Sequence, residues 1–184
     1  MTETVPVEFK ENDNKTKKLI IPFIFGVGVF LLDQLTKFLV VKFIPLYTIK
    51  FSFFGDFLRI IHVRNLGAAF SMGVSLPGKI RSLLLAIIPV IILIVFVIIY
   101  FRNNTLTQLQ RWLYCGVIGG GFGNVVDRLF RKQGVVDFID VKFYGLFGFE
   151  RWPTFNIADS FIMVCGILLF ISFLVSLAKE KKNK

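Results

Sequence analysis

Histidine occurs once in this chain and cysteine twice. One histidine, His62, is too few for a histidine-based zinc site, and a Ser-His-Asp triad would have to be built around it alone. His62 falls on an expected strand, where it reads as a surface or hydrogen-bonded residue. Cys115 and Cys165 both lie inside apolar runs, so they read as small buried hydrophobes rather than a disulfide framework. Cys165 is too deep in its run to be a nucleophile for aqueous hydrolysis. Charge is scarce as well, at 18% of 184 residues, and acids are the scarcer sign: 12 Asp+Glu against 22 Lys+Arg. No Walker motif or dinucleotide fingerprint is present, since the glycines of GGGFG lack the preceding strand and the spacing.

What is abundant is apolar. Hydrophobic residues make up 55% of the chain, with 23 phenylalanines, and the mean hydropathy is +0.71. Disorder needs low hydrophobicity, and an ordinary soluble domain of this length cannot hide so much apolar sequence. The composition is that of a small, single-domain integral membrane protein.

Four apolar stretches are predicted to span: 19–41, 82–101, about 109–126, and 157–178. Twenty helical residues cover about 30 Å, the hydrocarbon thickness of a bilayer. The second carries no charge and only Pro89 as a kink; the third is rich in small residues (GVIGGGFG), which let a neighbouring helix approach closely. Residues 1–18 are polar and expected to be disordered, and no cleavable signal peptide is expected, because the first apolar run follows a long polar tail and continues past Asp33. The net charge of +10 is concentrated at the ends, at Lys10, Lys15, Lys17, Lys18, Lys179, Lys181, Lys182 and Lys184. Such tails are read as cytoplasmic anchors on anionic lipid rather than as a nucleic-acid surface. The organisation is thus a basic cytoplasmic tail (1–18), a single four-helix membrane domain (19–178) and a second basic tail (179–184).

An even number of spans leaves connections 42–81 and 127–156 on the outer side. KFSFFGDFLRIIHVRN reads as two strands around a Gly55-Asp56 turn, a small sheet on the membrane surface between helices 1 and 2. GAAFSMGVSLPG reads as a short interfacial helix or a turn. The second connection carries Phe143, Tyr144, Phe147, Phe149, Trp152 and Phe155, the density of an interfacial aromatic belt.

Ionisable groups within a membrane default to function or pairing, and between residues 19 and 178 there are only seven acids: Asp33, Asp56, Asp127, Asp137, Asp140, Glu150 and Asp159. Asp33 and Lys37 are spaced i,i+4 and read as a structural ion pair. Asp56 reads as a turn residue. Asn124, Asp127 and Arg128 fall within one helical turn, either a helix-end salt bridge or a substrate clamp. Asp137 in VVDFID and Asp159 in FNIAD belong to the same membrane face and have apolar neighbours. Two such carboxyls would share a proton, one activating water and the other polarising a carbonyl. The alternative is two separate caps, with Asn156 or Asp159 capping the fourth helix.

These residues resemble the lipoprotein signal peptidase (signal peptidase II) family. DQLTK at 33–37, RNLGAAFS at 64–71, GGGFGNVVDR at 119–128, VVDFID at 135–140 and FNIADS at 155–160 occur in matching order over about 19–178. The resemblance implies an all-α bacterial plasma-membrane protein of four transmembrane helices with a small outer-face sheet. It implies an aspartic endopeptidase that cuts diacylglyceryl-modified prolipoproteins just before the lipidated cysteine, with Asp137 and Asp159 catalytic. Asn65, Asn124, Asp127, Arg128 and Asn156 would bind substrate or support the site. It implies no metal and no cofactor, membrane lipid and globomycin-type inhibitors as partners, and a monomer with both termini cytoplasmic. The departures are a longer lysine-rich N-terminal tail and GGG where many members have GGA. Two other classes are to be weighed: a small proton-coupled transporter using the same aspartates, which would spread its acids along a path, and a membrane assembly factor indifferent to their loss.

Overall fold

The computed structural model describes residues 7–67, 78–131 and 133–182 of the chain. They form helix α1 (Val7–Phe43), strands β1 (Ile49–Phe53) and β2 (Leu58–Asn65), helices α2 (Gly78–Arg102) and α3 (Gln108–Phe130), strand β3 (Val135–Val141) and helix α4 (Ile157–Lys182). α1 and α4 each hold a stretch long and apolar enough to cross a membrane, Thr16–Phe43 and Ile157–Lys182; within α2 the apolar stretch is the shorter Ile87–Arg102. α1 starts well before the expected boundary, so residues 7–18 continue the helix instead of forming a disordered tail. The reason is local: VEFKENDNKTKK contains no glycine or proline, and its Glu and Lys residues favour helix. Pro22 lies inside α1 and Pro89 inside α2.

α3 is the central helix, packed against α1, α2 and α4. Its small residues make this possible. A Cβ at Gly119 would collide with the backbone oxygen of Gly26 in α1, and one at Gly120 would lie 2.6 Å from the carbonyl oxygen of Ala158 in α4. Gly116, Gly119, Gly120 and Gly123 recur at i, i+3, i+4 and i+7, so two glycine-lined seams of one helix receive two neighbours. α3 begins with a reciprocal cap, Thr107 accepting from the Gln110 N–H while the Gln110 side chain accepts from Thr107 N–H. Below the glycines, Tyr100, Leu113, Tyr114, Cys115, Ile118, Cys165 and Leu169 form the main apolar core. Both cysteines are buried there and free.

The hairpin forms as expected, with its turn at residues 54–57. The sheet does not lie wholly between the first two helices, however. It has three antiparallel strands in the order β1-β2-β3, and the third is VVDFIDV, read from sequence as part of a connection. In that strand Val135, Val136 and Phe138 are buried, and Val136 and Phe138 pack with Val40 and Ile44 at the end of α1. His62 is buried and its Nδ1 lies 2.8 Å from the carbonyl oxygen of Ile44. Asp56 is more than a turn residue. It takes Arg59 at 3.0 Å and Lys142 at 3.2 Å, while the Arg151 guanidinium holds Asp140 at 2.7 Å and the Asp56 carbonyl at 3.0 Å. These bonds tie the hairpin to both ends of the segment beyond β3. Of that segment's aromatics, Phe143 and Phe149 pack on Trp152, whereas Tyr144 and Phe147 stand exposed. Residues 68–77, which include most of GAAFSMGVSLPG, lie outside the described residues.

Candidate active site

Three elements converge where the sheet meets the helix ends. β3 pairs with β2 so that Val63 faces Asp137 and Asn65 faces Val135. This register puts the last residue of β2 diagonally across from Asp137 on one face of the sheet, and Asn65 Nδ2 donates to Asp137 Oδ2 at 3.0 Å. The backbone of Phe155 pairs with Ile139, which places the start of α4 beside the same strand.

α4 starts with a reciprocal cap. Asn156 Oδ1 accepts from the backbone N–H of Asp159 at 2.9 Å, and Asp159 Oδ2 accepts from the backbone N–H of Asn156 at 3.2 Å. The sequence offered either residue as the cap; the structure uses both, with Asp in the position that Glu or Gln usually fills. The same Asn156 donates from Nδ2 to Asp137 Oδ1 at 2.7 Å. A single asparagine therefore links the two carboxyls.

α3 supplies the floor. Asn124 Nδ2 donates to Asp159 Oδ1 at 2.6 Å. Its Oδ1 accepts from Asn156 Nδ2 at 3.2 Å and from Lys37 Nζ at 3.0 Å. Lys37 also pairs with Asp33 at 2.8 Å and with Asp127 at 3.1 Å, all three side chains being fully buried. The expected i,i+4 pair is thus one edge of a larger network spanning α1 and α3, and it reaches the site. Asp33 extends it by accepting the backbone N–H of Ala158 at 3.0 Å, one residue before Asp159.

Asp127 does not take Arg128 as its partner, as the helix-end reading of Asn124, Asp127 and Arg128 supposed. It takes Lys37, Arg131 at 2.8 Å and the backbone N–H of Val136 at 3.2 Å. Arg128 donates to the carbonyl oxygen of Asn124 at 3.3 Å and lines the cavity. Two further residues complete the network: Gln34, whose Nε2 meets Asp33, the Gly123 carbonyl and Asp127 within 3.1–3.3 Å, and Arg131. The i,i+4 spacing from Asp127 to Arg131 was a legible signal; Gln34 had none beyond being polar in an apolar run.

The cavity measures about 780 Å³ and is walled by Asn65, Asn124, Arg128, Asp137 and Asp159 among polar groups, with Pro89, Phe155, Ile162 and Met163 on its apolar sides. Asp137 is buried and Asp159 half-buried. Burial above all, then the nearby charge of Asp159, pushes Asp137 up to about 7, against the opposing hydrogen bonds from Asn65 and Asn156. A carboxyl raised in the fold binds its proton there over a pH range where the unfolded chain has already lost it. Stability from this group is present at low pH and lost as pH rises through about 7. Asp137→Asn protein, which has no such proton to lose, is expected to gain thermal stability relative to the parent between pH 5 and pH 8. A constant difference in melting temperature across that range would show that Asp137 is not raised.

The nine residues singled out in the sequence thus lie in or beside one network. Two carboxyls side by side, each fixed by amide donors and open to a cavity, can hold a water, remove its proton and return one to a leaving group.

A family model described as Signal peptidase (SPase) II matches residues 25–175. A lipoprotein signal peptidase of Treponema pallidum (strain Nichols) is 53% identical over 152 residues, covering 82% of each chain. One from Treponema denticola is 46% identical over 171 residues, 93% of this chain and 98% of the relative. A bacterial membrane enzyme solved by the in meso method at 2.3 Å resolution superposes with a TM-score of 0.71 at 31% identity, over 89% of this chain and 91% of the other.

Proposed function

Since this chain belongs to the signal peptidase II family, we propose that it is a membrane-embedded aspartic endopeptidase that removes signal peptides from prolipoproteins. The observation that carries the catalytic type is the pair Asp137 and Asp159, joined through Asn156 and open to the cavity. The substrate is a prolipoprotein whose cysteine already bears diacylglycerol, reaching the cavity laterally from the outer leaflet.

In the proposed reaction Asp137 starts protonated and Asp159 ionised. Asp159 takes a proton from the bound water as its oxygen adds to the carbonyl carbon before the lipidated cysteine, and Asp137 gives its proton to the carbonyl oxygen. Collapse returns that proton to Asp137, passes the other from Asp159 to the cysteine nitrogen and breaks the C–N bond. Arg128 holds the peptide or the glycerol group, Asn65, Asn124 and Asn156 hold the carboxyls, and Asp127 supports the site by anchoring Lys37 and the Val136 backbone. Four spans with both termini in the cytoplasm put the sheet and the cavity at the outer leaflet. The exposed apolar residues along α1, α2 and α4, such as Ile24, Leu31, Ile91, Ile98, Phe170 and Leu174, suit a lipid boundary. A transporter path is less well served, because Asp127, Asp137 and Asp159 gather at one end of the helices.

The test is incubation of the purified protein with a diacylglyceryl-modified prolipoprotein, followed on a gel. We expect a shorter lipoprotein, none from the unmodified precursor, a rate that falls on both sides of an optimum, and no response to EDTA. Activity lost to the chelator and restored by a divalent ion would replace the mechanism with metal-assisted hydrolysis; absence of cleavage would remove the peptidase reading.

A further inference from the structure

An asparagine amide has one accepting and one donating end, and its neighbours decide which way it points. Each of the three amides here has its oxygen taken by an N–H donor. Asn65 Oδ1 accepts from the backbone N–H of Gly67 at 2.9 Å, Asn156 Oδ1 from that of Asp159, and Asn124 Oδ1 from the Lys37 ammonium. Each is thereby obliged to turn its NH₂ toward an aspartate. Only at Asn124 is the orienting group a charged side chain.

Lys37 is suited to nothing else in the site. It is fully buried and does not line the cavity. Its three N–H bonds are used, on Asp33, Asp127 and Asn124. Reversing the Asn124 amide would set its NH₂ against the ammonium and against Asn156 Nδ2, and its oxygen against the Asp159 carboxylate. A cation on an amide oxygen also draws electron density from the nitrogen and makes its N–H a stronger donor. The Asn124–Asp159 bond, at 2.6 Å, is the shortest of the amide–carboxylate bonds in the site, the others being 2.7 and 3.0 Å.

We infer that Lys37 is a positioning residue for the reaction: through Asn124 it presents a strong, fixed N–H donor to Asp159 and so holds that carboxylate in place as the base. The inference rests on the aspartic-peptidase reading above and adds to it a residue outside the substrate cavity. The ion pair with Asp33 is then only part of the reason for a lysine at this position.

A double-mutant cycle on cleavage separates positioning from scaffolding. Lys37→Met combined with Asp33→Asn keeps the buried charge balanced, because Asp127 retains Arg131. In the otherwise native enzyme this pair of changes is expected to lower kcat about 100-fold with KM held within about threefold, the usual scale for losing one aligned donor. In the Asn124→Ala background the same pair is expected to cost less than about threefold, since Asn124 is the route of its effect. Equal losses in the two backgrounds, or no loss in the first, would overturn the inference. Should the pair fail to fold, Asn124→Asp serves instead. It keeps an oxygen toward Lys37 but turns an oxygen toward Asp159, and kcat is expected to fall about 100-fold in a folded enzyme; a parental kcat would overturn the inference. Asp159→Asn is assayed alongside, and turnover by that variant would show that the dyad itself was misread.

Discussion

Asp137→Asn and Asp159→Asn enzymes are each expected to fold and to cleave prolipoprotein at least about 10⁴-fold more slowly than the parent. Asparagine keeps the shape of aspartate but neither takes a proton from water nor gives one to a carbonyl oxygen. The reciprocal cap on α4 can survive in Asp159→Asn protein, because the amide oxygen still accepts the Asn156 N–H. The double mutant is expected to be little worse than either single, since one carboxyl without the other performs neither half of the proton exchange. Asp127→Asn is the contrast. Asp127 bonds Lys37, Arg131 and Val136 N–H rather than facing the cavity, so its loss is expected to lower the yield of folded enzyme more than kcat. A folded, inactive Asp127→Asn enzyme beside an active Asp137→Asn enzyme would mean that the wrong carboxyls had been paired.

Gly119→Ala is expected to have the largest effect on folding of any single methyl group added to the helices. The new carbon would fall on the Gly26 backbone carbonyl of α1, where no rotamer change can give way. Overpacking of side chains costs about 1–3 kcal/mol, and a backbone-on-backbone clash is expected at or above the upper end. It would also move α1 and α3 apart along the seam that carries Lys37 to Asn124. Gly28→Ala supplies the control, with nothing within 4 Å of its added carbon, and there helix propensity alone would stabilise by about 0.5–1 kcal/mol. Equal melting temperatures for the two variants in detergent would refute this account of the glycines.

The parts of the structure legible in the sequence were those set by local rules. Hydropathy located all four helices, the Gly55-Asp56 turn with flanking alternation located the hairpin, and i,i+4 spacing paired Asp33 with Lys37. The parts that were not legible depend on contacts distant in sequence. VVDFIDV carries a strand's residues, yet its partner is β2, seventy or more positions earlier, and no local pattern specifies that pairing. Asp127 has Arg128 beside it in the chain, but adjacent residues on a helix point about 100° apart, so its side chain meets α1 while Arg128 turns to the cavity. Lys37 showed its pairing with Asp33 but not Asn124, because that contact exists only once the α1–α3 seam closes. The charged residues Asp33, Lys37, Asp127, Asp137 and Asp159 are all rare ionisable groups in apolar surroundings, so the site is more legible in the sequence than the sheet that frames it.

The reciprocal cap between Asn156 and Asp159 has a consequence for synthesis. Chains grow from the N-terminus, so α1, the hairpin, α3 and β3 are all made while the second aspartate is still to be added. A ribosome-bound chain ending before residue 156 possesses Asp137 without its counterpart and lacks the asparagine that would connect them. Even after Asp159 emerges, its side chain is set only when the first turn of the last helix closes on itself. On the proposed pairing of Asp137 with Asp159, the nascent chain is therefore expected to lack activity until that turn forms, so that competence arrives with α4.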